Sequence, residues 1–586
     1  MFKLLKYLKP YTLQMIALVV LVFGSVAATL QLPDYMAKII NDGIIHSNNS
    51  VIISIGLLML LISLGGAVCT VGVGYLSSRI ATGFSRDVRN KVFSRVESFS
   101  LVEFNKFSTA SLITRSTNDI QQIQTVMVLL LRMVLQAPIM GLWAIFKAYN
   151  LAPSLSWIIA LAVAVLLGVI FVMFSVALPK FKLLQKLVDR LNLVTRENLT
   201  GLRVIRAFNN EELEQAKFEK SNADLTAANL FVNRLMVVMQ PMMMLIFNLT
   251  SVLIVWAGAH LINLGNLQIG SMIAFMQYAM QVIMSFLLIS IVFIMVPRAS
   301  VSADRVVEVI ETEPIIRDPK KPISTKNLHG GVVEFQNVTF AYPGADSPVL
   351  ENISFKASPG ETTAFIGSTG SGKSTLINLI PRFYDVSSGR ILLDGVDVRA
   401  YKLEDLYAKI GYVPQKGVLF SGTVESNIKY GAPHAAENEV QKAAEIAQAE
   451  EFIKNLEKEY ESPIAEGGTN VSGGQKQRLS IARAILRKPE IYIFDDSFSA
   501  LDFKTDAMLR QALKSETKNK TVMIVAQRIS TILSAEKIIV LDDGKIAGMG
   551  THQELLKDCK VYREIAYSQL SEEELKAYQI NADQEK

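Results

Sequence analysis

The chain has 586 residues, 50% of them hydrophobic, a net charge of +5 and a mean hydropathy of +0.30. That length is too great for one domain, and that hydropathy is high for a soluble enzyme. The modest charge, with no basic stripe interleaved with aromatics, argues against a nucleic-acid partner, and two cysteines, Cys69 and Cys559, cannot form a disulfide framework.

Apolar residues crowd the first half and charges the second, with the break near residue 300. A helix needs about 20 apolar residues to cross a bilayer. Uncharged stretches of that length run Pro10–Pro33, Val51–Ser78, Leu151–Pro179, Leu235–Ala259 and Gly270–Pro297. A sixth, Val126–Phe146, is interrupted only by Arg132. The reading is a six-helix membrane domain over 1–300, a linker over 301–330, a second domain over 331–570 and an acidic tail over 571–586. The first stretch is too long for a signal-peptide core and lacks a cleavage site, so no cleaved leader is expected.

Lys and Arg mark alternate sides of these stretches. Lys3, Lys6 and Lys9 precede the first. Arg79, Arg86, Arg89, Lys91, Arg95, Lys106 and Arg115 follow the second, and Lys180–Arg234 is again basic. The links Asp34–Ser50, Lys147–Asn150 and His260–Gln268 are short and poor in basic residues. The alternation predicts a multi-pass protein of the cell membrane with both termini cytoplasmic.

Structureless segments as long as the two inner ones are uncommon. Their mixed-charge helical pattern, as in F-K-L-L-Q-K-L-V-D-R-L from Phe181, predicts helices that run on into the cytoplasm, each turning back through a short helix. In Gly201–Glu212, Arg203 and Arg206 stand opposite an apolar side, as coupling positions. Arg132 is read as snorkelling toward the cytoplasm, with a cavity-facing role as the alternative. The Met-rich fifth and sixth spans (Met236, Met239, Met242, Met243, Met244, Met272, Met276, Met280, Met284) fit helix packing or a promiscuous apolar surface. Gln240, Asn248, Gln277 and Gln281 fit inter-helix bonds or a cavity lining.

From Val332 the pattern changes to short strands, turns and amphipathic helices. The strand Glu361–Ile366 runs into G-S-T-G-S-G-K-S-T, residues Gly367, Ser368, Thr369, Gly370, Ser371, Gly372, Lys373, Ser374 and Thr375, and then a helix. This is a P-loop: glycines let backbone N–H groups close on phosphate at a helix start, Lys373 reaches the β/γ-phosphates and Ser374 can ligate Mg²⁺. Asp495 ends an apolar strand and is the expected Mg²⁺ partner. The block Val471, Ser472, Gly473, Gly474, Gln475 offers small side chains and free N–H groups at another helix start. His46, His260, His329, His434 and His552 show no metal-ligand spacing.

Together these blocks resemble the ATP-binding cassette family, and the six-span half resembles its exporter branch. The resemblance implies an all-α membrane domain joined to an α/β P-loop NTPase cassette with antiparallel β and helical subdomains. It implies that Tyr342 stacks on adenine, that Gln415 senses Mg²⁺ from the Q-loop, that Asp502 belongs to the D-loop and that Glu466 meets the inner segments. In this family two cassettes face head to tail, each ATP lying between one P-loop and the other cassette's signature block.

Two positions depart from the pattern. The family's catalytic Glu is Asp496 here, and its downstream His is Gln527. Both departures concern the ATP on this chain's own P-loop, whereas Val471–Gln475 serves the other ATP and is intact. The chain is thus similar to the degenerate-site subunit of bacterial heterodimeric multidrug exporters. That implies an ATP-driven exporter of hydrophobic compounds, poorly hydrolytic at its own site, paired in the bilayer with a different half-transporter carrying Glu and His. A lipid or glycolipid flippase, a slow homodimeric ATPase and a non-transporting regulatory subunit are the alternatives. A peptide exporter with its own protease domain and an importer fit the order of the chain less well.

Overall fold

Among the described residues, six helical runs are long and apolar enough to cross a membrane: Lys3–Ile44, Asn49–Glu97, Thr109–Leu151, Pro153–Ala207, Glu211–Asn263 and Ile269–Ile289. They are seen in a computed structural model that describes residues 2–323 and 330–570. Residues 324–329 of the sequence-predicted linker, with His329, and the tail over 571–586 lie outside the described residues. The chain forms two units, Met1–Glu97 with Thr109–Thr312, and Ser98–Ser108 with Glu313–Lys586.

The first unit is built from α1 (Thr12–Lys38) and α2 (Asn49–Glu97). After the short α3 (Leu101–Phe107), which belongs to the second unit, come α4 (Thr109–Thr114), α5 (Ile120–Leu129) and α6 (Leu135–Leu151). Then follow α7 (Ser156–Ala207), α8 (Glu211–Asn263) and α9 (Ile269–Glu311). At 1.5 Å per residue the 49 residues of α2 span about 74 Å, well beyond a hydrocarbon core of about 30 Å. Leu60, Leu61, Val68 and Val71 of α2 are exposed, as side chains that face lipid are.

Polar side chains tie these helices together. Asp34 Oδ2 pairs with Lys147 Nζ at 2.5 Å, and Tyr278 OH donates to Asp34 Oδ1 at 2.5 Å, joining α1, α6 and α9. Asn41 donates to Gln268 Oε1 at 2.7 Å and accepts from Gly270 N at 2.8 Å. Arg132, in a π-helical turn between α5 and α6, donates to Ser77 Oγ at 2.9 Å and Gly74 O at 3.1 Å of α2. Its guanidinium is therefore held by α2 near the end of the stretch that precedes Arg79. Met239 and Met243 pack in an apolar cluster with Leu166, Ile246 and Ile283, whereas Met244, Met280 and Met284 are exposed.

Three boundaries differ from the sequence reading. α1 runs through Pro33 to Lys38, and Asp34 within it pairs with Lys147 of α6. The linker begins late: α9 continues to Glu311, with Ala299, Ala303, Val306 and Ile310 buried at helical spacing. The second inner segment turns without a short helix. Three residues join α7 to α8, with Asn209 in the left-handed region (φ +52°) and Asn210 N bonded to Ile205 O at 3.0 Å.

The first inner segment does turn through a short helix, and this α3 packs within the second unit, so the membrane domain is not the whole of 1–300. Ser100 caps α3 in a reciprocal box with Glu103. Glu103 Oε1 also accepts from Ile315 N at 3.1 Å, and Val102 packs on the apolar core around Phe340 and Tyr384.

The rest of the second unit begins with β1 (Val333–Phe340), β2 (Leu350–Ala357) and β3 (Thr362–Gly367), then α10 (Lys373–Leu379). β4 (Ser388–Leu393), β5 (Val396–Asp397), α11 (Leu403–Ala408) and β6 (Ile410–Val413) follow. β7 (Gly422–Thr423) and β8 (Pro463–Ile464) form a small ribbon around α12 (Val424–Lys429), α13 (Glu437–Ile446) and α14 (Glu450–Lys454). Then come α15 (Gly473–Leu486), β9 (Ile491–Asp495), α16 (Phe503–Glu516) and β10 (Thr521–Val525). β11 (Lys537–Asp542), β12 (Lys545–Gly550), α17 (His552–Asp558) and α18 (Lys560–Gln569) close the unit.

An antiparallel sheet runs β2-β1-β4-β5, and a second sheet runs β12-β11-β3-β10-β9-β6, parallel except at β12. β9 and β10 are buried along their whole length, as a strand covered on both faces requires.

Candidate nucleotide site

The site lies at the carboxyl ends of four adjacent parallel strands, where open α/β sheets bind their ligands. β3 delivers the P-loop. Next to it β10 and β9 run in register, Val525 beside Asp495, and β6 follows with Val413 beside Phe494. The residues that overshoot these three ends are Gln527, Asp496 and Gln415, and strand order alone brings them together. Asp496 N donates to Val525 O at 3.0 Å, which fixes one strand end against the other.

The P-loop is closely packed. A Cβ on Gly367 would lie 2.1 Å from Leu541 O, and Gly372 has φ +93° at the cap of α10. Glycine is the residue that fits both. Lys373 Nζ folds back to donate to Gly367 O at 2.9 Å and Ser368 O at 2.7 Å. Burial pushes the Lys373 ammonium below its ordinary range, and Asp496 and Asp495 oppose that shift. Ser374 Oγ donates to Asp495 Oδ1 at 2.9 Å. Tyr342 OH and Thr375 Oγ1 are 2.9 Å apart, and the Tyr342 ring stands edge-on to Phe340 and Tyr384.

A cavity of about 520 Å³ is lined by Gly367, Ser368, Thr369, Gly370, Gly372, Lys373, Ser374 and Thr375 together with Gln415 and Gln527. Behind it, Asp496 Oδ2 accepts from Gln527 Nε2 at 2.8 Å and from Gln415 Nε2 at 3.2 Å. Asp496 itself has φ +47°, a left-handed conformation that Asp tolerates better than most residues. Burial raises the Asp496 carboxyl above its ordinary range, opposed by the Gln415 bond. Burial also raises Asp495, with the Asp496 charge adding and the Ser374 bond opposing. Two raised carboxyls beside a depressed ammonium, with oxygen donors from Ser374, Asp495 and Gln415, suit a hard divalent cation and a polyphosphate.

The signature block stands apart from this cavity. Ser472 caps α15, its Oγ accepting from Gln475 N at 3.2 Å while Gln475 Oε1 accepts from Ser472 N at 2.8 Å. Gly474 lies close under Ala500 O, where a Cβ would come within 3.1 Å. None of Val471, Ser472, Gly473, Gly474 or Gln475 is among the residues that line the P-loop cavity. Asp502 caps α16, accepting from Thr505 N at 2.9 Å, and the Thr505 bonds hold its carboxyl below the ordinary range. Glu466 is exposed at the start of a short turn, and Arg203 and Arg206 are exposed in the last turns of α7.

Sequence reasoning missed one wall of the cavity. Ile565, Ser568 and Gln569 of α18 line it, at the end of the second domain, where no site residue was expected. The available signal was an amphipathic helix whose polar side ends in a carboxamide.

Residues 15–286 match the family described as ABC transporter transmembrane region, and residues 350–499 the family described as ABC transporter. The chain is 41% identical over 567 residues to an uncharacterised ABC transporter ATP-binding protein of Mycobacterium tuberculosis, covering 96% of this chain and 97% of the relative. It is 30% identical to an ATP-dependent lipid A-core flippase of Syntrophus aciditrophicus, covering 98% and 95%. It is 32% identical to a putative multidrug export ATP-binding/permease protein of Bacillus subtilis, covering 82% and 83%. A bacterial Atm1-family ABC exporter solved with ATP bound superposes with a TM-score of 0.80 at 26% identity, covering 95% and 98%.

Proposed function

The chain belongs to the ABC transporter family, as an exporter-type half with membrane and ATP-binding domains in one polypeptide, and from that premise we propose that it is the degenerate-site half of a heterodimeric exporter. The observation that carries this reading is the pairing of Asp496 with Gln527 beside the P-loop. Hydrolysis needs a base that reaches the attacking water and a group that bears on the γ-phosphate. Asp496 is one methylene shorter than Glu, and an error of about 1 Å costs around 100-fold in rate. Its Oδ2 is also occupied by two amide donors, which leaves that oxygen little capacity to take a proton from water. Gln527 can bond phosphate but carries no charge.

ATP binding needs none of the missing features. Lys373 and the P-loop backbone would hold the β- and γ-phosphates, and Tyr342 would support the adenine. Ser374, Asp495 and Gln415 would hold Mg²⁺, which neutralises phosphate charge when bound. The signature block, absent from its own cavity, would complete the partner's site, with Asp502 at the seam. ATP binding then closes the two cassettes, and the inner segments, with Glu466, Arg203 and Arg206, pass the closure to the spans. Hydrolysis at the partner's site resets them. The cargo is hydrophobic or amphipathic, carried across the cell membrane with both termini cytoplasmic. The similarity to a lipid A-core flippase, which covers 98% of the chain, favours an amphipathic lipid as the second reading.

The experiment is Asp496→Asn in the complex with the partner half. The heterodimer reading expects steady-state ATPase within about twofold of wild type, since one site does the work. Near-complete loss, as a homodimer requires, overturns it.

A further inference from the structure

We propose that Gln569 is a positioning residue for the nucleotide site, which makes the C-terminal helix part of the machinery that distinguishes ATP from ADP. The inference rests on Gln527 facing the γ-phosphate.

The geometry is a fork. Gln569 Nε2 donates to Gln527 O at 2.8 Å, and Gln569 Oε1 accepts from Ile529 N at 2.9 Å. One carboxamide thus fixes the backbone on both sides of Arg528. A carboxamide does so because it donates and accepts from one planar, uncharged group. The helix behind it is firm. Tyr562 and Ala566 are fully buried in the core, and Tyr562 OH lies 2.7 Å from His552 Nδ1. The far side of the same helix turns Ile565, Ser568 and Gln569 toward the P-loop cavity.

Gln527 is otherwise lightly held. Its side chain has Asp496 Oδ2 as its partner at 2.8 Å, and on its N-terminal side Ala526 N is bonded to Phe365 O at 3.0 Å. Releasing the fork lets the Gln527 peptide rotate, and the Nε2 group then leaves its place between Asp496 and the cavity. A contact that serves only the γ-phosphate is lost, while contacts to the other phosphates and the base are kept.

The test is the affinity of the purified full-length chain for Mg²⁺-ATP and Mg²⁺-ADP by titration calorimetry. Gln569→Ala is expected to weaken ATP about fivefold, the scale of one net hydrogen bond, and ADP by less than about twofold. Gln569→Glu keeps the acceptor for Ile529 N but sets an oxygen against Gln527 O, so it should weaken ATP at least as much. Gln527→Ala with Gln569→Ala should bind like Gln527→Ala alone, because both act through one contact. An unchanged ATP affinity in Gln569→Ala, or equal losses for ATP and ADP, overturns the proposal; the ADP arm also reports any general unfolding. If Gln527→Ala itself spares the preference for ATP, the γ-phosphate reading fails and this proposal with it. If Gln527→Ala removes the preference and Gln569→Ala does not, only the proposal fails.

Discussion

Gln527 Nε2 donates to Asp496 Oδ2 across 2.8 Å, so the two positions that depart from the hydrolytic pattern are bonded to each other. They follow adjacent parallel strands, and their substitutions are coupled by geometry. Repair should therefore need both. In a complex whose partner lacks its catalytic carboxylate, Asp496→Glu with Gln527→His is expected to hydrolyse ATP about 100-fold faster than the wild-type chain in single-turnover assays. Either change alone should recover less than its share. A double variant no faster than wild type would count against the proposed degenerate site.

Lys373 is bonded to two P-loop carbonyls and sits half-buried. Lys373→Ala removes the cation and its charge-assisted bonds to phosphate, which are worth about 1.5–3 kcal/mol. Nucleotide affinity measured by calorimetry should fall roughly 10- to 100-fold. Thermal stability without nucleotide should change little.

Burial raises the Asp495 carboxyl above its ordinary range. Between its ordinary and raised values the native chain holds a proton that the unfolded chain has released. Linkage then makes stability fall as pH rises through that window, the full contribution being present below about pH 4. Asp495→Asn removes this dependence. Melting temperatures without nucleotide should converge near pH 4 and favour the variant near pH 7. With Mg²⁺-ATP at pH 7 the order should reverse, since only the wild type gains the cation.

Asp34 is held by Lys147 and Tyr278 in the membrane unit, with both charged side chains about one-third exposed. Lys147→Met leaves the carboxylate without its counter-charge and should destabilise that unit by about 1–3 kcal/mol. Asp34→Asn with Lys147→Met should recover most of the loss. Melting in detergent, arranged as a double-mutant cycle, measures the coupling, and strictly additive effects would show that the pair carries no energy.

What the sequence made legible follows one rule. Chemistry that depends on short spacing could be read directly: six apolar runs, and a glycine-rich loop between a strand and a helix. Structure that depends on distant partners could not. Asp34, Lys147 and Tyr278 are separated by as many as 244 residues and looked like loop edges or span interior until three helices met. Arg132 showed a cost without showing that Ser77 and Gly74 meet it. The end of α9 was placed too early because mixed charge hid the buried Ala303, Val306 and Ile310. Gln569 was hidden for the same reason, since its partners are backbone atoms 40 and 42 residues upstream.

The bond between Glu103 and Ile315 spans 212 residues of chain. The cassette is thus a discontinuous domain, and its first piece is synthesised before four of the six apolar helical runs. Closing so long a loop is only modestly costlier than closing a short one, but the contact cannot form until translation is well past the last span. During biosynthesis Val102 and its neighbours must wait with their apolar face uncovered. A cassette produced by itself from Glu313 onward would expose the matching surface, and its solubility should improve when a peptide spanning Ser98–Ser108 is added.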